Sequence, residues 1–417
     1  MDFEPWWLIA VPVLFALGWV AARVDFRQML SESKRLPDSY FKGLNFLLNE
    51  EPDQAIDAFI EVAKLDSETI ELHFALGNLF RRRGEIERAI RVHQSLLARA
   101  DLAPQAREDA QFELAQDFFK AGMLDRAEAA FEAVTEGRHS KAAMQALIRI
   151  YEAAHDWSKA IEAVKRLNAL TNEPVIQRVH YFCEQAEQAL NANPPQLDAA
   201  LRAFDGADQA VKSLGSACTI GSKARLAMLK ARYEQLNELL EQQRDELVPI
   251  LNQAPDYAGL IANDILQVYD ALDQRDEGLE LLLSHHERYP SLDVFNVLFK
   301  ALRTQRGSIE AWHFARQALR RTPSLLALDK MLEVEISLEN DPQLTARLQD
   351  LVEDNLSKEI AAGADLGLLR SLIHKHTQRL DRYACQECGF ETRYYYWQCP
   401  GCNHWESYPP KRLEEMQ

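Results

Sequence analysis

The chain opens with apolar positions in one block and continues with apolar positions at helical spacing. Trp6 to Ala22 carries no charge over 17 residues. As a helix such a run spans about 25 Å, the short end of what crosses a bilayer. Trp6 and Trp7 stand at one end, where indole rings favour the headgroup layer. Arg23 and Arg27 follow the other end, with Lys34 and Arg35 beyond. A cleavable leader would place positive charge before the apolar run, where Asp2 and Glu4 stand instead. Residues 1–22 are therefore expected to form a transmembrane anchor, with everything after it on the cytoplasmic side. Pro12 is tolerable in such a span. Residues 23–36 read as a linker.

From about residue 37 the helical spacing repeats. Gly43 and Gly77, Phe46 and Phe80, Ala55 and Ala89, and Phe59 and His93 are each 34 apart. The same columns continue through Phe118 and Tyr151, Ala127 and Ala160, and Phe131 and Val164. A small residue, an aromatic three later and an Ala about nine further on is the tetratricopeptide pattern. Each unit is then a pair of antiparallel helices, A and B. Small residues in helix A (Gly43, Gly77, Ala115) face the Ala column of helix B (Ala55, Ala89, Ala127, Ala160, Ala200). Gly84 and Gly122 stand where helix A must end in a left-handed residue, and His155 takes that column in the next unit. Asn193-Pro194-Pro195 separates the helices of a further unit. Residues 216–255 keep helical spacing without the signature. Tyr269, Gly278, Leu282 and Pro290 restore part of it, and Trp312 to Pro323 suggests another helix of the same kind. The expected fold class is all-α: a tetratricopeptide solenoid over 37–340, then helices over 341–380. Its concave face would be built from helix A positions. Tyr40, Leu44, Phe74, Asn78, Arg81, Arg82 and Phe112 are the candidate partner-binding residues, an aromatic, Asn and Arg mixture suited to a protein segment.

Cysteine use breaks the uniformity. Four of the six cysteines fall within the last 33 residues, as Cys385-Gln386-Glu387-Cys388 and Cys399-Pro400-Gly401-Cys402. Two such knuckles bring four thiolates around one metal ion. Gly389 supplies a left-handed residue and Pro400 a fixed φ. Tyr394 to Trp397 reads as a short strand with aromatic cover, and Trp405 and Tyr408 add to that cover. A domain over 381–417 has too little core to fold alone, so the metal must contribute. Zinc is favoured over iron, although the spacing resembles rubredoxin, which holds iron. His374, His376 and His404 read as bystanders to a closed site. In a reducing compartment Cys183 and Cys218 read as buried small hydrophobes.

Charge and motifs then narrow the function. With 47 basic and 64 acidic residues the net charge is −17, and 381–417 carries −2 of it. That argues against nucleic acid as a partner. The chain has no Walker loop, GxGxxG, HExxH or GxSxG. The expectation is therefore binding and not catalysis.

One span, a repeat array and a C-terminal rubredoxin-like knuckle together resemble the lipopolysaccharide assembly protein B family. The match is sharpest in Gly43-Leu44-Asn45-Phe46, Leu76-Gly77-Asn78-Leu79-Phe80, Asp125-Arg126-Ala127-Glu128 and Tyr383 to Trp405. The resemblance implies a bacterial inner-membrane adaptor that limits lipopolysaccharide synthesis. It would present the lipid A deacetylase LpxC to the membrane protease FtsH, opposed by a lipopolysaccharide-sensing inner-membrane anti-adaptor. Two alternatives stand beside it: a general scaffold for envelope enzymes, and an iron redox protein.

Overall fold

In the computed structural model the described residues are 70–171, 173–339 and 364–416, with a few positions before 70 (19, 42–43, 45–46, 49, 51 and 54–58). The expected anchor at 1–22 lies outside them apart from Trp19, and so do Tyr40, Leu44 and residues 340–363. Among the described residues no helix is long and apolar enough to cross a membrane.

The first compact unit ends at Asn172. Its helices are α1 (Ile70–Arg83), α2 (Ile86–Leu97), α3 (Pro104–Lys120), α4 (Leu124–Glu132), α5 (Ser140–Ala153) and α6 (Trp157–Thr171). They pair as α1 with α2, α3 with α4 and α5 with α6, which is the A and B alternation of the repeat. Ala55, Ala89, Ala127 and Ala160 are all fully buried, so the Ala column is the line of closest helix contact. Gly77 is required there, because a Cβ on it would stand 2.3 Å from Nε2 of buried His93. Phe80, Phe118 and Tyr151 fill the aromatic column in the core.

Helix A ends the same way in successive hairpins. Gly84, Gly122 and His155 have φ of 85°, 73° and 53°. The following N–H then closes onto the carbonyl five residues back: Glu85 on Phe80, Met123 on Phe118, Asp156 on Tyr151. This is the Schellman arrangement.

The second unit begins at Glu173. It holds α7 (Arg178–Asn191), α8 (Leu197–Leu214), α9 (Ile220–Leu236), α10 (Leu240–Gln253), α11 (Ala258–Ala271), α12 (Arg275–Arg288), α13 (Leu292–Gln305), α14 (Ser308–Arg321), α15 (Leu325–Glu339) and α16 (Ala364–Leu380). The hairpin logic survives where the signature fades. Glu238 and Asp273, at φ 59° and 60°, replace glycine as left-handed residues. Leu239 and Gln274 close onto Glu234 and Tyr269 just as Glu85 does onto Phe80. The core of this unit runs continuously from Ala224 to Val334. Cys183 and Cys218 are buried in the neighbouring cluster around Phe204, as expected.

After α16 the chain forms two short antiparallel strands, β1 (Tyr383–Ala384) and β2 (Glu391–Thr392), with Tyr383 opposite Thr392. The expected strand over Tyr394 to Trp397 is not one. That stretch turns away, leaving only an isolated bridge between Gln398 and Trp405. Tyr395 and Trp397 turn inward onto Tyr257 while Tyr394 and Tyr396 face solvent, and this packing takes the backbone out of the ladder.

Candidate metal centre and its seat on the array

The two CxxC turns are near copies. In each, the residue after the second cysteine is left-handed: Gly389 at φ 73° and Asn403 at φ 60°. Gly389 N–H donates to the Cys385 carbonyl at 2.9 Å, and Asn403 N–H to the Cys399 carbonyl at 2.8 Å. The first cysteine of each turn is tied as well, Cys385 N–H to the Phe390 carbonyl at 3.0 Å and Cys399 N–H to the His404 carbonyl at 2.8 Å. Facing each other, the turns bring all four Sγ atoms within 4.8 Å of one another. Cys385 to Cys402 and Cys388 to Cys399 are both 3.7 Å. A tetrahedron of sulfurs about 2.3 Å from a metal has edges of about 3.8 Å, so the cysteines fit one ion.

The electrostatics agree with a bound cation. At Cys385, burial is outweighed by hydrogen bonds from Ser407 and the Cys388 and Glu387 backbone, and the thiol falls to about 6. At Cys402, a hydrogen bond from the His404 backbone is overcome by burial and the neighbouring sulfurs, which push it up to about 12. Four sulfurs at this spacing cannot all ionise without a positive centre among them. With four thiolates bound, a tetrahedral ion is coordinatively closed. His374, His376 and His404 are outside the group that the described residues form.

Above the sulfurs, Tyr408 is 1% exposed and donates to the Phe390 carbonyl at 3.1 Å. The two tryptophan rings leave the knuckle and enter the array, while Phe390, Tyr394 and Tyr396 stay exposed. Trp405 stacks on His180 of α7, centroids 4.8 Å apart and planes within 14°. Trp397 stacks on Tyr257, at 5.4 Å and 10°. Between them Arg225 of α9, 2% exposed, lies 5.6 Å from the Trp397 ring and 5.8 Å from the Trp405 ring. Its guanidinium donates to Glu184 at 2.6 Å and Glu187 at 2.9 Å.

Acidic residues fix this seat at the starts of A helices. Glu406 accepts from His180 Nε2 at 2.6 Å, from Ser222 Oγ at 2.7 Å, and from Thr219, the N-cap of α9. Arg225 Nη1 lies 3.4 Å from His180 Nδ1, which leaves Nε2 to carry the proton. Burial is the largest influence on His180 and holds its pKa below the usual histidine value, despite the Glu406 hydrogen bond. Burial pushes the Glu406 carboxyl the other way, but hydrogen bonds from His180, Thr219 and Ser222 hold it below its usual value. Glu406 sits at φ 51°, an uncommon conformation for this residue. Gly221 makes room: a Cβ there would stand 2.5 Å from the Tyr257 hydroxyl and 2.8 Å from Glu406 Oε2.

Further along, Glu415 accepts from Leu292 N–H at 2.9 Å, capping α13. Glu414 accepts from Ser324 Oγ at 3.0 Å and from the N–H groups of Leu325 and Leu326, capping α15. Asp293 joins the same edge, accepting from Tyr383 Oη at 2.6 Å and Arg412 Nη2 at 2.7 Å. Carboxylates at helix N-termini satisfy orphan N–H groups and meet the positive end of the helix dipole. A net charge of −2 for the knuckle thus marks its attachment. None of these seat residues was foreseen. The only local sign was a domain too small for its own core, ending in tryptophans and acids.

The candidate partner residues of the first unit are placed differently. Asn78 and Arg81 of α1 join a polar cluster in which Arg81 donates to Asp117 at 2.8 Å and also bonds Asn78 and Glu113. Asp117 in turn bonds buried His93 at 2.5 Å. Phe112 stacks on His139 at 4.3 Å and meets Phe131 edge-on. Phe74 is half-buried beside Leu96 and Leu102. Arg82 is exposed, with no ion pair among the described residues. The structure therefore brings Asn78 and Arg81 into one cluster, sets Phe74 against its His93 ring with centroids 6.2 Å apart, and leaves Arg82 and Phe112 in separate surroundings.

Comparison with known proteins accords with this anatomy. Residues 383–409 match the rubredoxin metal-binding domain of lipopolysaccharide assembly protein B, and residues 72–108 match a tetratricopeptide repeat. Lipopolysaccharide assembly protein B of Escherichia coli K12 is 30% identical over 407 residues, 97% of each chain. Its counterpart in Haemophilus influenzae is 28% identical over 424 residues, 98% of each chain. A solved tetratricopeptide repeat protein from Parabacteroides merdae covers 72% of this chain at 10% identity and a TM-score of 0.33, a likeness on which nothing further rests. On the full-length match to the curated relatives, the chain belongs to the lipopolysaccharide assembly protein B family.

Proposed function

We propose that this protein is a non-enzymatic adaptor in lipopolysaccharide assembly. It is held at the bacterial inner membrane by residues 1–22, with the array on the cytoplasmic side. In this reading it presents the deacetylase LpxC to the protease FtsH, and a lipopolysaccharide-sensing membrane protein opposes it. The observation that carries the reading is the match to relatives named for lipopolysaccharide assembly over 97% of the chain. A repeat array and a coordinatively closed knuckle support binding over chemistry. An adaptor acts by raising the effective concentration of one partner near another. The metal is proposed to be a single zinc ion with a structural role, since Cys385 and Cys399 are 2% and 0% exposed. Elemental analysis of natively purified protein tests this: one zinc per chain is expected, and a coloured iron protein would overturn it.

In the first unit, Phe74, Arg82 and Phe112, with Tyr40 and Leu44, are proposed to contact a partner, and Asn78 and Arg81 to hold that face in shape. The decisive experiment replaces Cys385 and Cys388 by Ser at the chromosomal locus and follows the LpxC half-life at matched protein level. A lengthened half-life is expected. An unchanged half-life would overturn a role for the knuckle, and full regulation after deletion of residues 1–22 would overturn the anchor.

A further inference from the structure

Where α13, α15 and α16 meet the knuckle, the second unit has an open cleft of about 680 Å³. Lys300 and Arg303 reach it from α13, Lys330 and Glu333 from α15, and Arg393 from the knuckle just after β2. Arg393 is therefore in place only when the knuckle is folded and seated.

The charges in this cleft do not balance. Glu333 alone takes three cations: Arg303 at 2.8 Å, Arg370 of α16 at 2.9 Å and Lys330 at 3.5 Å. Arg370 also pairs with buried Asp329 at 3.3 Å, and His374 Nδ1 lies 3.5 Å from the other Asp329 oxygen. Asp381 pairs with Arg412 at 3.4 Å. Lys300 and Arg393 remain, both exposed and with no ion pair among the described residues. With Arg370 included, five cations stand against Asp329, Glu333 and Asp381, an excess of 5 − 3 = 2. Adding Arg412 and its second partner Asp293 leaves that excess unchanged. In a chain at −17 the cleft thus has the opposite sign to its surroundings, which draws anionic groups to it. Asn296 of α13 and Gln378 of α16 line it as well, and their amides make no hydrogen bond among the described residues.

The donors decide which anion fits. Phosphate sites are commonly built on backbone N–H groups at helix N-termini. Here the N-termini of α13 and α15 are already capped by Glu415 and Glu414, and α16 offers its C-terminal half. The two free cations come singly from different walls, which suits carboxylates spaced along a chain. The floor of the cleft is α13 and α15, A helices of successive hairpins, the positions that a solenoid presents to a bound segment. We infer that this cleft binds an acidic segment of a protein partner, one carboxylate meeting Lys300 and another Arg393, with the Asn296 and Gln378 amides donating beside them. The inference deepens the adaptor reading and rests on it only for the partner's being a protein.

The test uses the full metal-loaded protein at low ionic strength and reads fluorescence anisotropy. The probes are amidated peptides of three Gly-X-Ser units with a neutral dye at the N-terminus, X being glutamate, glutamine or lysine. The glutamate peptide is expected to bind saturably, with the glutamine and lysine peptides at least about tenfold weaker, the scale of two exposed ion pairs. Lys300→Gln and Arg393→Gln should each weaken the glutamate peptide about threefold and together about tenfold. Both side chains are exposed and unpaired, so melting temperature and metal content should not change. Lys212→Gln removes an exposed cation from α8, outside the cleft, and should leave binding as it was. No saturable binding of the glutamate peptide, equal binding of the glutamine or lysine peptide, full affinity in the double variant, or the same loss in Lys212→Gln would overturn the inference. Displacement of the peptide by inorganic phosphate at concentrations below the peptide's own would assign the cleft to phosphate and overturn it too. These outcomes are separable from the adaptor reading. A cleft that fails while LpxC turnover still depends on Cys385 and Cys388 leaves that reading standing. A cleft that binds while turnover ignores those cysteines removes the knuckle's adaptor role alone.

Discussion

Removing the Glu406 carboxylate should loosen the knuckle from the array. The side chain is 19% exposed and accepts three hydrogen bonds, from His180, Ser222 and Thr219. Glu406→Ala takes the charged acceptor from His180, 1% exposed, leaving its Nε2–H the Ser222 hydroxyl at 3.2 Å, while the Thr219 and Ser222 hydroxyls keep their bond to each other. Hydrogen bonds from neutral donors to a charged acceptor are worth about 1.5–3 kcal/mol, and with three donors affected this case lies near the upper value, about 3 kcal/mol. Glu406→Gln keeps the shape without the charge and should cost about 1–2 kcal/mol. Glu406→Gly is the control for the backbone: it relieves the left-handed conformation, worth about 1 kcal/mol, while still losing the carboxylate. It should therefore be less damaging than alanine. The assay is urea unfolding of metal-loaded protein followed by tryptophan fluorescence, with a double-mutant cycle against His180→Ala. A coupling of about 1–2 kcal/mol is expected for groups in contact. If Glu406→Ala falls within about 0.5 kcal/mol of the natural protein, or the cycle shows no coupling, the seat is not held as described.

Other consequences follow from the same geometry. Cys385→Ser with Cys388→Ser should abolish metal binding, measured by elemental analysis, and make residues 381–417 cleavable by trypsin. Gly221→Ala pushes a methyl into Tyr257 and Glu406 and should destabilise by about 1–3 kcal/mol, seen in the same urea assay. Asp293→Ala, at an 8% exposed position, takes the acceptor from the Tyr383 hydroxyl and leaves Arg412 with Asp381 at 3.4 Å and two backbone carbonyls, and should cost about 2–3 kcal/mol. Acid should undock the knuckle. Both His180 and Glu406 have lowered pKa values in the fold, so the unfolded chain binds more protons. Their contribution is present above the unfolded values, about 6.5 for histidine and about 4.3 for glutamate, and is lost as pH falls through the folded ones. Fluorescence of Trp397 and Trp405 against pH, compared between the natural protein and Glu406→Gln, checks this.

What could be read from the sequence depended on whether the cause was local. The Ala columns, Gly84 and Gly122, and the four cysteines all act within a hairpin or a turn, and their spacing carries that constraint. The later hairpins were obscure because Glu238 and Asp273 fill a position where glycine would have marked it. The seat of the knuckle had no local sign. Glu406 meets His180 across 226 residues and Arg412 meets Asp293 across 119. A carboxylate that caps a distant helix looks like any surface acid in a chain with 64 of them. The same holds in the first unit, where Arg81 and Asn78 suited a binding face by type, yet join Asp117 and Glu113 once folded.

The central claim is that the metal orders a knuckle whose seat stabilises the A helices beneath it. Hydrogen exchange before and after metal removal with a chelator tests this most directly. Faster exchange is expected at 180–187 in α7, at 219–225 around the start of α9 and at the first turns of α13 and α15, together with unfolding of 381–416. Unchanged exchange in those helices, with the knuckle alone losing protection, would contradict it.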